Sequence, residues 1–133
     1  MIVSRRRVEW HDTDAAGHQH HSAVLRWVEA AEAELLRSVG CARLFGRTPR
    51  VRHEVDYRSR VFFGDEVETT LRVEALGRSS LTYAFDVTCA DRPVATGRLV
   101  IVHAPSATGG AEPWPDDVRA ALTPTPVVTP TPA

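Results

Sequence analysis

HDTDAAGHQHHSAVLRWVEAAEAELLRSVG, residues 11–40, is the stretch whose reading decides the fold. Its first eleven residues hold four histidines, His11, His18, His20 and His21, and two aspartates, Asp12 and Asp14. Behind them Val24, Val28, Ala31, Leu35 and Val39 recur at steps of three and four, the spacing that gathers apolar side chains on one face of a helix. The pattern predicts one long helix over 22–39, with Ser22 at its N-cap and Gly40 just past its end, where a left-handed residue suits a helix stop. Backbone N–H groups at a helix start lack intrahelical acceptors and carry partial positive charge, so they suit an anion or an oxyanion formed during a reaction. A polar, titratable loop delivered onto such a start is where chemistry is expected.

The rest of the chain is short and evenly charged. With 133 residues, 43% of them hydrophobic, it buries one core and not two. The 16 Lys and Arg against 17 Asp and Glu leave a net charge of −1, which argues against a nucleic-acid partner or a membrane-binding surface spread over the protein. No segment approaches the length of a membrane span. Arg5-Arg6-Arg7 has no apolar run behind it to make a targeting signal and reads as a solvated strand edge. Cys41 and Cys89 lack the spacing of metal ligands or of a disulfide framework, and read as reduced core thiols of a cytoplasmic protein.

Residues 2–10 read as a first strand, Val8 and Trp10 on one face and Arg7 and Glu9 on the other, delivering the loop at His11. After a connector over 41–49 the period changes from 3.6 to 2. In 51–61 the residues Val51, Val55, Tyr57 and Val61 alternate with charged ones. Past Gly64-Asp65 a second run sets Val67, Thr69, Leu71, Val73 and Ala75 inward; past Gly77-Arg78-Ser79 a third sets Leu81, Tyr83, Phe85, Val87 and Cys89 inward. Asp91-Arg92-Pro93 leads into a last strand at 94–103. Four strands joined by short turns predict an antiparallel meander, whose apolar face needs a cover; the long helix is the available one, and Ala23, Ala30, Ala31 and Ala33 permit close approach. Glu29, Glu32 and Glu34 fall on the expected solvated face, with Arg26 and Arg37 three residues away as partners. His53 and His103 read as structural. Composition shifts at Pro105, dividing a domain over 1–104 from an extension over 105–133, in which a short helix at 115–122 precedes a Pro/Thr-rich tail with too little to bury.

This order of elements resembles the hotdog-fold acyl-CoA thioesterases of the 4-hydroxybenzoyl-CoA thioesterase and YbgC-like group, over residues 3–104. The most specific match is Asp12-Thr13-Asp14-Ala15-Ala16-Gly17 followed by His21 and Leu25-Arg26-Trp27, similar to the family's D-x-D-x-x-G, an aromatic or His, and the helix opening. Val55-Asp56-Tyr57 with Gly64-Asp65-Glu66-Val67, and Gly77 to Thr82, resemble two further family signatures.

The resemblance implies an α+β hotdog fold, an antiparallel sheet of five to six strands wrapped around one long central helix, in a homodimer or homotetramer whose interface contains the active sites. It implies hydrolysis of an acyl-CoA or acyl-carrier-protein thioester without a cofactor or metal. Asp14 would be the catalytic carboxylate, as general base or nucleophile, and the His21 N–H the oxyanion donor. Gly17, His18, Glu29, Arg78, Ser79 and Ser80 would meet the substrate, and Arg78 and Arg92 would suit the phosphates of coenzyme A. Ala23 and Val24 stand where relatives often carry Asn and Tyr, and His18 and His20 where they carry apolar or aromatic residues. Three rivals remain: a non-catalytic acyl-CoA-binding module; a hotdog hydratase or dehydratase, against which Gly17 stands where its D-x-N-x-x-H motif needs His; and a metal-binding histidine cluster.

Overall fold

The computed structural model describes residues 1–124, so the Pro/Thr-rich tail falls outside the described residues except for Thr123 and Pro124. The chain runs β1 (Ile2–Arg7), α1 (Ala23–Ser38), β2 (Arg50–Tyr57), β3 (Glu66–Leu76), β4 (Ser80–Cys89), β5 (Arg92–Val102) and α2 (Asp116–Ala121). All five strands pair antiparallel in the order β1-β3-β4-β5-β2. The sheet's inner face wraps α1, which is the hotdog arrangement.

The helix forms as its pattern dictates. Ala23, Val24, Trp27, Val28, Ala31, Leu35 and Leu36 are buried against Val67, Leu71, Leu81, Phe85 and their neighbours. Each Val or Leu side chain among these contributes about 1.5–3 kcal/mol when fully buried. Gly40 stops the helix at φ +74°: its N–H donates to the Arg37 carbonyl at 3.2 Å and the Cys41 N–H to the Leu36 carbonyl at 2.7 Å, the paired bonds of a Schellman stop. Cys41 is buried beside them, while Cys89 is only half-buried; both are free thiols.

Several expectations are corrected. The first strand ends at Arg7, because Glu9 and Asp12 fold the chain into a 3-10 turn over Trp10–Asp12 that leaves Trp10 79% exposed. The meander has three strands, not four: β2 lies at the far edge against β5, and residues 58–65 carry the chain back to β3 beside β1. In β2 a register shift between Arg50 and Arg52 turns Val51 outward, 58% exposed, and sets Arg50 opposite Ile101 on the inner face. A second shift, between Val73 and Ala75, leaves Ala75 exposed. The last hairpin turns at Ala90 and Asp91, both at positive φ, as a two-residue loop.

Of the three α1 glutamates expected on a solvated face, Glu29 and Glu34 are exposed and only Glu32 departs. Glu32 is buried and paired with Arg50, and Glu34 accepts from the Ser4 hydroxyl at 3.1 Å. Arg26 reaches Asp12 instead, and Arg37 lies over the Phe45 ring. The extension after 104 packs back: Trp114, Val118 and Leu122 are buried in the core cluster. His103 holds this segment, its Nδ1 between the Glu112 and Pro113 carbonyls at 3.1 and 3.0 Å and its ring stacked on Trp114.

Candidate active site

The loop between β1 and α1 is built around Asp12, which is 4% exposed. Its Oδ2 accepts the Glu9 N–H at 2.8 Å and its Oδ1 the Arg26 guanidinium at 3.0 Å. Burial alone would raise its pKa, but the Glu9 N–H, Arg26 and nearby His11 outweigh it and hold the carboxyl below its ordinary 3.8. Asp12 is therefore spent on shaping the loop.

Thr13 and Gln19 then bridge, closing a small hairpin in which the Asp14 N–H donates to the His18 carbonyl at 3.1 Å and the Gly17 N–H to the Asp14 carbonyl at 3.0 Å. Gly17 sits at φ +88°, a conformation that side-chain-bearing residues rarely adopt. Asp14 Oδ1 accepts the Ala16 N–H at 2.8 Å, an Asx turn, which leaves Oδ2 without a partner among the described residues. The turn-forming role of Asp14 and a chemical one thus use different oxygens.

Ser22 precedes α1 but gives it no side-chain cap, because its hydroxyl is bonded to His20 Nδ1 at 2.7 Å. The His20 and His21 rings lie 4.0 Å apart. The His21 N–H has no acceptor among the described residues, and the His21 carbonyl accepts the Tyr57 hydroxyl at 2.6 Å. Burial pushes the Tyr57 phenol up, which keeps it a donor. Gln19 fastens the opposite wall: its Oε1 accepts the Val61 N–H at 2.9 Å and its Nε2 donates to the Ser59 carbonyl at 3.1 Å.

Asp14, His18 and His21 line one cleft of about 850 Å³, whose other wall is Tyr57 to Arg60 with Phe62 and Arg92. It exists because α1 packs chiefly on β1 and β3 and leaves the β2 side open. A carboxylate with a free oxygen and an unclaimed N–H beside a helix start can deprotonate water and hold a forming oxyanion. Gly17 shapes the loop without lining the cleft. Glu29 borders a second cavity, of about 480 Å³, together with Glu32, Phe45 and Arg50. The turn at Arg78, Ser79 and Ser80 borders neither; its carbonyls accept from the Trp114 N–H, the His103 N–H and the Trp114 indole. Among the described residues no three His, Cys, Asp or Glu side chains gather as a metal site, and no helix is long and apolar enough to cross a membrane.

Sequence reasoning missed Tyr57, Gln19, Arg58 and Arg60 as parts of the site. Tyr57 stood inside a quoted signature, and its alternation read as a core position; Arg58 and Arg60 fell in the charged set of that same alternation and read as a solvated strand face, and Gln19 carried no periodic signal.

A family described as "Thioesterase-like superfamily" matches residues 8–122, and the chain belongs to it. A 1,4-dihydroxy-2-naphthoyl-CoA hydrolase of Synechococcus elongatus is 32% identical over 122 residues, 86% of this chain and 90% of that one. A thioesterase of Thermus thermophilus, solved with coenzyme A and zinc, superposes with a TM-score of 0.82 at 30% identity, over 91% of this chain and 90% of that one. A gentisyl-coenzyme A thioesterase superposes at 0.80 with 25% identity, over 90% of this chain and 98% of that one.

Proposed function

We infer that this chain is a thioesterase that hydrolyses an acyl-CoA thioester to the free acid and coenzyme A. The observation that carries the reading is the pairing, in one cleft, of Asp14, its Oδ2 free, with the unclaimed N–H of His21. Asp14 takes a proton from water as its oxygen attacks the thioester carbon, the His21 N–H stabilises the oxyanion, and collapse breaks the C–S bond with the proton returned to the thiolate. One preorganised donor of this kind contributes roughly 2.7–4 kcal/mol to the barrier. Direct attack by the Asp14 carboxylate is the variant of the same role. No cofactor enters this scheme.

Arg58, Arg60 and Arg92 give the cleft positive charge suited to the phosphates of coenzyme A. Two of the relatives named above, the 1,4-dihydroxy-2-naphthoyl-CoA hydrolase and the gentisyl-coenzyme A thioesterase, are named for hydroxylated aryl-CoA thioesters, which makes an aryl-CoA the first substrate class to assay. The chain works as a homodimer or homotetramer in the cytoplasm. Supporting the assembly, β1 and β2 are both unpaired sheet edges, and long edges are normally paired or covered. Light scattering that returns a monomer at working concentration would argue strongly against this site.

The test is thiol release from a panel of acyl-CoA thioesters by wild type and Asp14→Asn. Asn keeps the Oδ1 bond to Ala16, so melting should be unchanged while kcat falls roughly 10²–10⁴-fold. Near-normal turnover by Asp14→Asn reassigns the chemistry; no turnover of any thioester by wild type leaves a binding module.

A further inference from the structure

Asp14 and His18 stand opposite each other in the small hairpin of the active-site loop. Thr13 bridges Gln19, the His20 N–H donates to the Asp12 carbonyl at 2.7 Å and the Asp14 N–H to the His18 carbonyl at 3.1 Å, so the next pair inward is Asp14 with His18. Opposite residues of an antiparallel pair share a face and set their Cβ atoms about 4.5–5.5 Å apart, while their neighbours take the other face. The side chains divide accordingly. Gln19 is buried and fastened to Ser59 and Val61, whereas Asp14 and His18 both line the 850 Å³ cleft.

The His18 ring is held in one orientation. Its Nδ1 lies 3.0 Å from the Gln19 carbonyl, and a carbonyl only accepts, so Nδ1 carries the hydrogen and Nε2 of the neutral ring holds the lone pair. That carbonyl is itself anchored, because the Gln19 N–H donates to the Val61 carbonyl at 3.0 Å and both ends of the Gln19 amide are bonded to the same wall. His18 Nε2 has no partner among the described residues. His20 Nδ1 is taken by the Ser22 hydroxyl, and the His21 ring lies against His20 with no hydrogen bond of its own among the described residues.

The order of basicities gives the free Nε2 a role. The proton that Asp14 takes from water has to reach the departing sulfur, and ordinary values rise from aspartate at about 3.9 through imidazole at about 6.5 to a thiol at about 8.5. Each transfer along that series runs downhill, and an imidazole exchanges protons best near neutral pH. The other groups facing His18 in the cleft are Tyr57, Arg58, Arg60 and Arg92, with His21 on its own side. Arginines stay charged and cannot accept, and burial pushes the Tyr57 phenol up, so neither competes for the proton.

Resting on the thioesterase reading above, we propose that His18 is a further catalytic residue, a proton shuttle between Asp14 and the leaving sulfur. The water oxygen bonds to the thioester carbon as one of its protons passes to Asp14 Oδ2 and on to His18 Nε2. The tetrahedral intermediate then collapses, the C–S bonding pair goes to sulfur, and the His18 Nε2–H protonates it. Free acid and free thiol leave, with both residues returned to their starting states.

The experiment uses 4-hydroxybenzoyl-CoA, or the fastest thioester of the panel should another exceed it. His18→Asn keeps a side-chain N–H for the Gln19 carbonyl and removes the base at Nε2, so it should melt with wild type while kcat falls roughly 10²-fold and KM moves less. On the acid side, log kcat/KM of wild type should reach a limiting slope of about two, for one imidazole and one carboxylate, and that of His18→Asn a slope of about one. Added imidazole should restore His18→Ala by at least about tenfold and leave Asp14→Asn unrestored. Ring nitrogen shifts of wild type in mildly alkaline solution should show the Nδ1–H tautomer of His18. An acid limb of unchanged slope in His18→Asn, no recovery with imidazole, or the Nε2–H tautomer overturns the proposal and leaves the thioesterase reading standing. An imidazole step that survives in His18→Asn and is lost in His21→Phe overturns it in favour of His21. Absence of turnover with every thioester brings down the thioesterase reading, and the shuttle with it.

Discussion

Tyr57 donates its phenolic hydrogen to the carbonyl of His21 at 2.6 Å, joining the last residue of β2 to the turn that opens α1 across 36 positions of sequence. This bond ties the sheet edge to the N–H that would receive the oxyanion, so site geometry and edge geometry are coupled. Tyr57→Phe keeps the ring and loses the tether. A net hydrogen bond of about 0.5–1.5 kcal/mol predicts a kcat lowered up to about tenfold, with KM moving less and the fold intact by circular dichroism. An unchanged kcat would show that the His21 peptide is held by the loop alone.

Asp12 predicts a pH effect on stability. Its folded pKa lies below the ordinary 3.8, so its stabilisation is fully present above that value and is lost as pH falls through the lower folded value. Asp12→Asn should therefore melt below wild type at pH 7, and the gap should narrow as pH drops from about 5 to 2. Melting curves across that range check it, and a gap that widens in acid contradicts the assignment.

Gly97 lies in β5 between Phe85 and Val55, where a Cβ would come 1.9 Å from the Glu54 carbonyl oxygen and 2.8 Å from the Phe85 ring. Backbone cannot yield as a flexible side chain does, so Gly97→Ala must push β2 away from β5. A loss of about 1–3 kcal/mol or more in denaturant melts is expected, with activity falling because Tyr57 rides on the same strand. Wild-type stability in Gly97→Ala would mean that β2 shifts freely.

Trp114 tests whether the segment after 104 belongs to the core. It is buried, its indole donates to the Ser80 carbonyl at 3.0 Å, and it stacks on His103. Trp114→Ala should cost about 3–5 kcal/mol, read as a large drop in melting temperature, whereas a small one would mark 105–124 as an appendage.

The helix and its stop, the inward sets of β3 and β4 and the loop carrying Asp14 were legible in the chain, because they follow from local periodicity, from glycine's freedom at Gly17 and Gly40, and from motif spacing. Three things were decided only in three dimensions. The place of β2 beside β5 depends on a crossover that no local pattern encodes, so a contiguous meander was the natural but incorrect reading. The inward turn of Arg50, and with it the burial of Glu32, depends on a one-residue register shift, which reverses alternation without changing composition. The second wall of the cleft, from Tyr57 to Arg60, comes from residues distant in sequence and is held by Gln19 and by the His21 carbonyl. Side-chain periodicity reports which face a residue takes within its own element; which elements then meet is set by how the whole apolar surface is covered at once, and that is a property of the assembled sheet and helix.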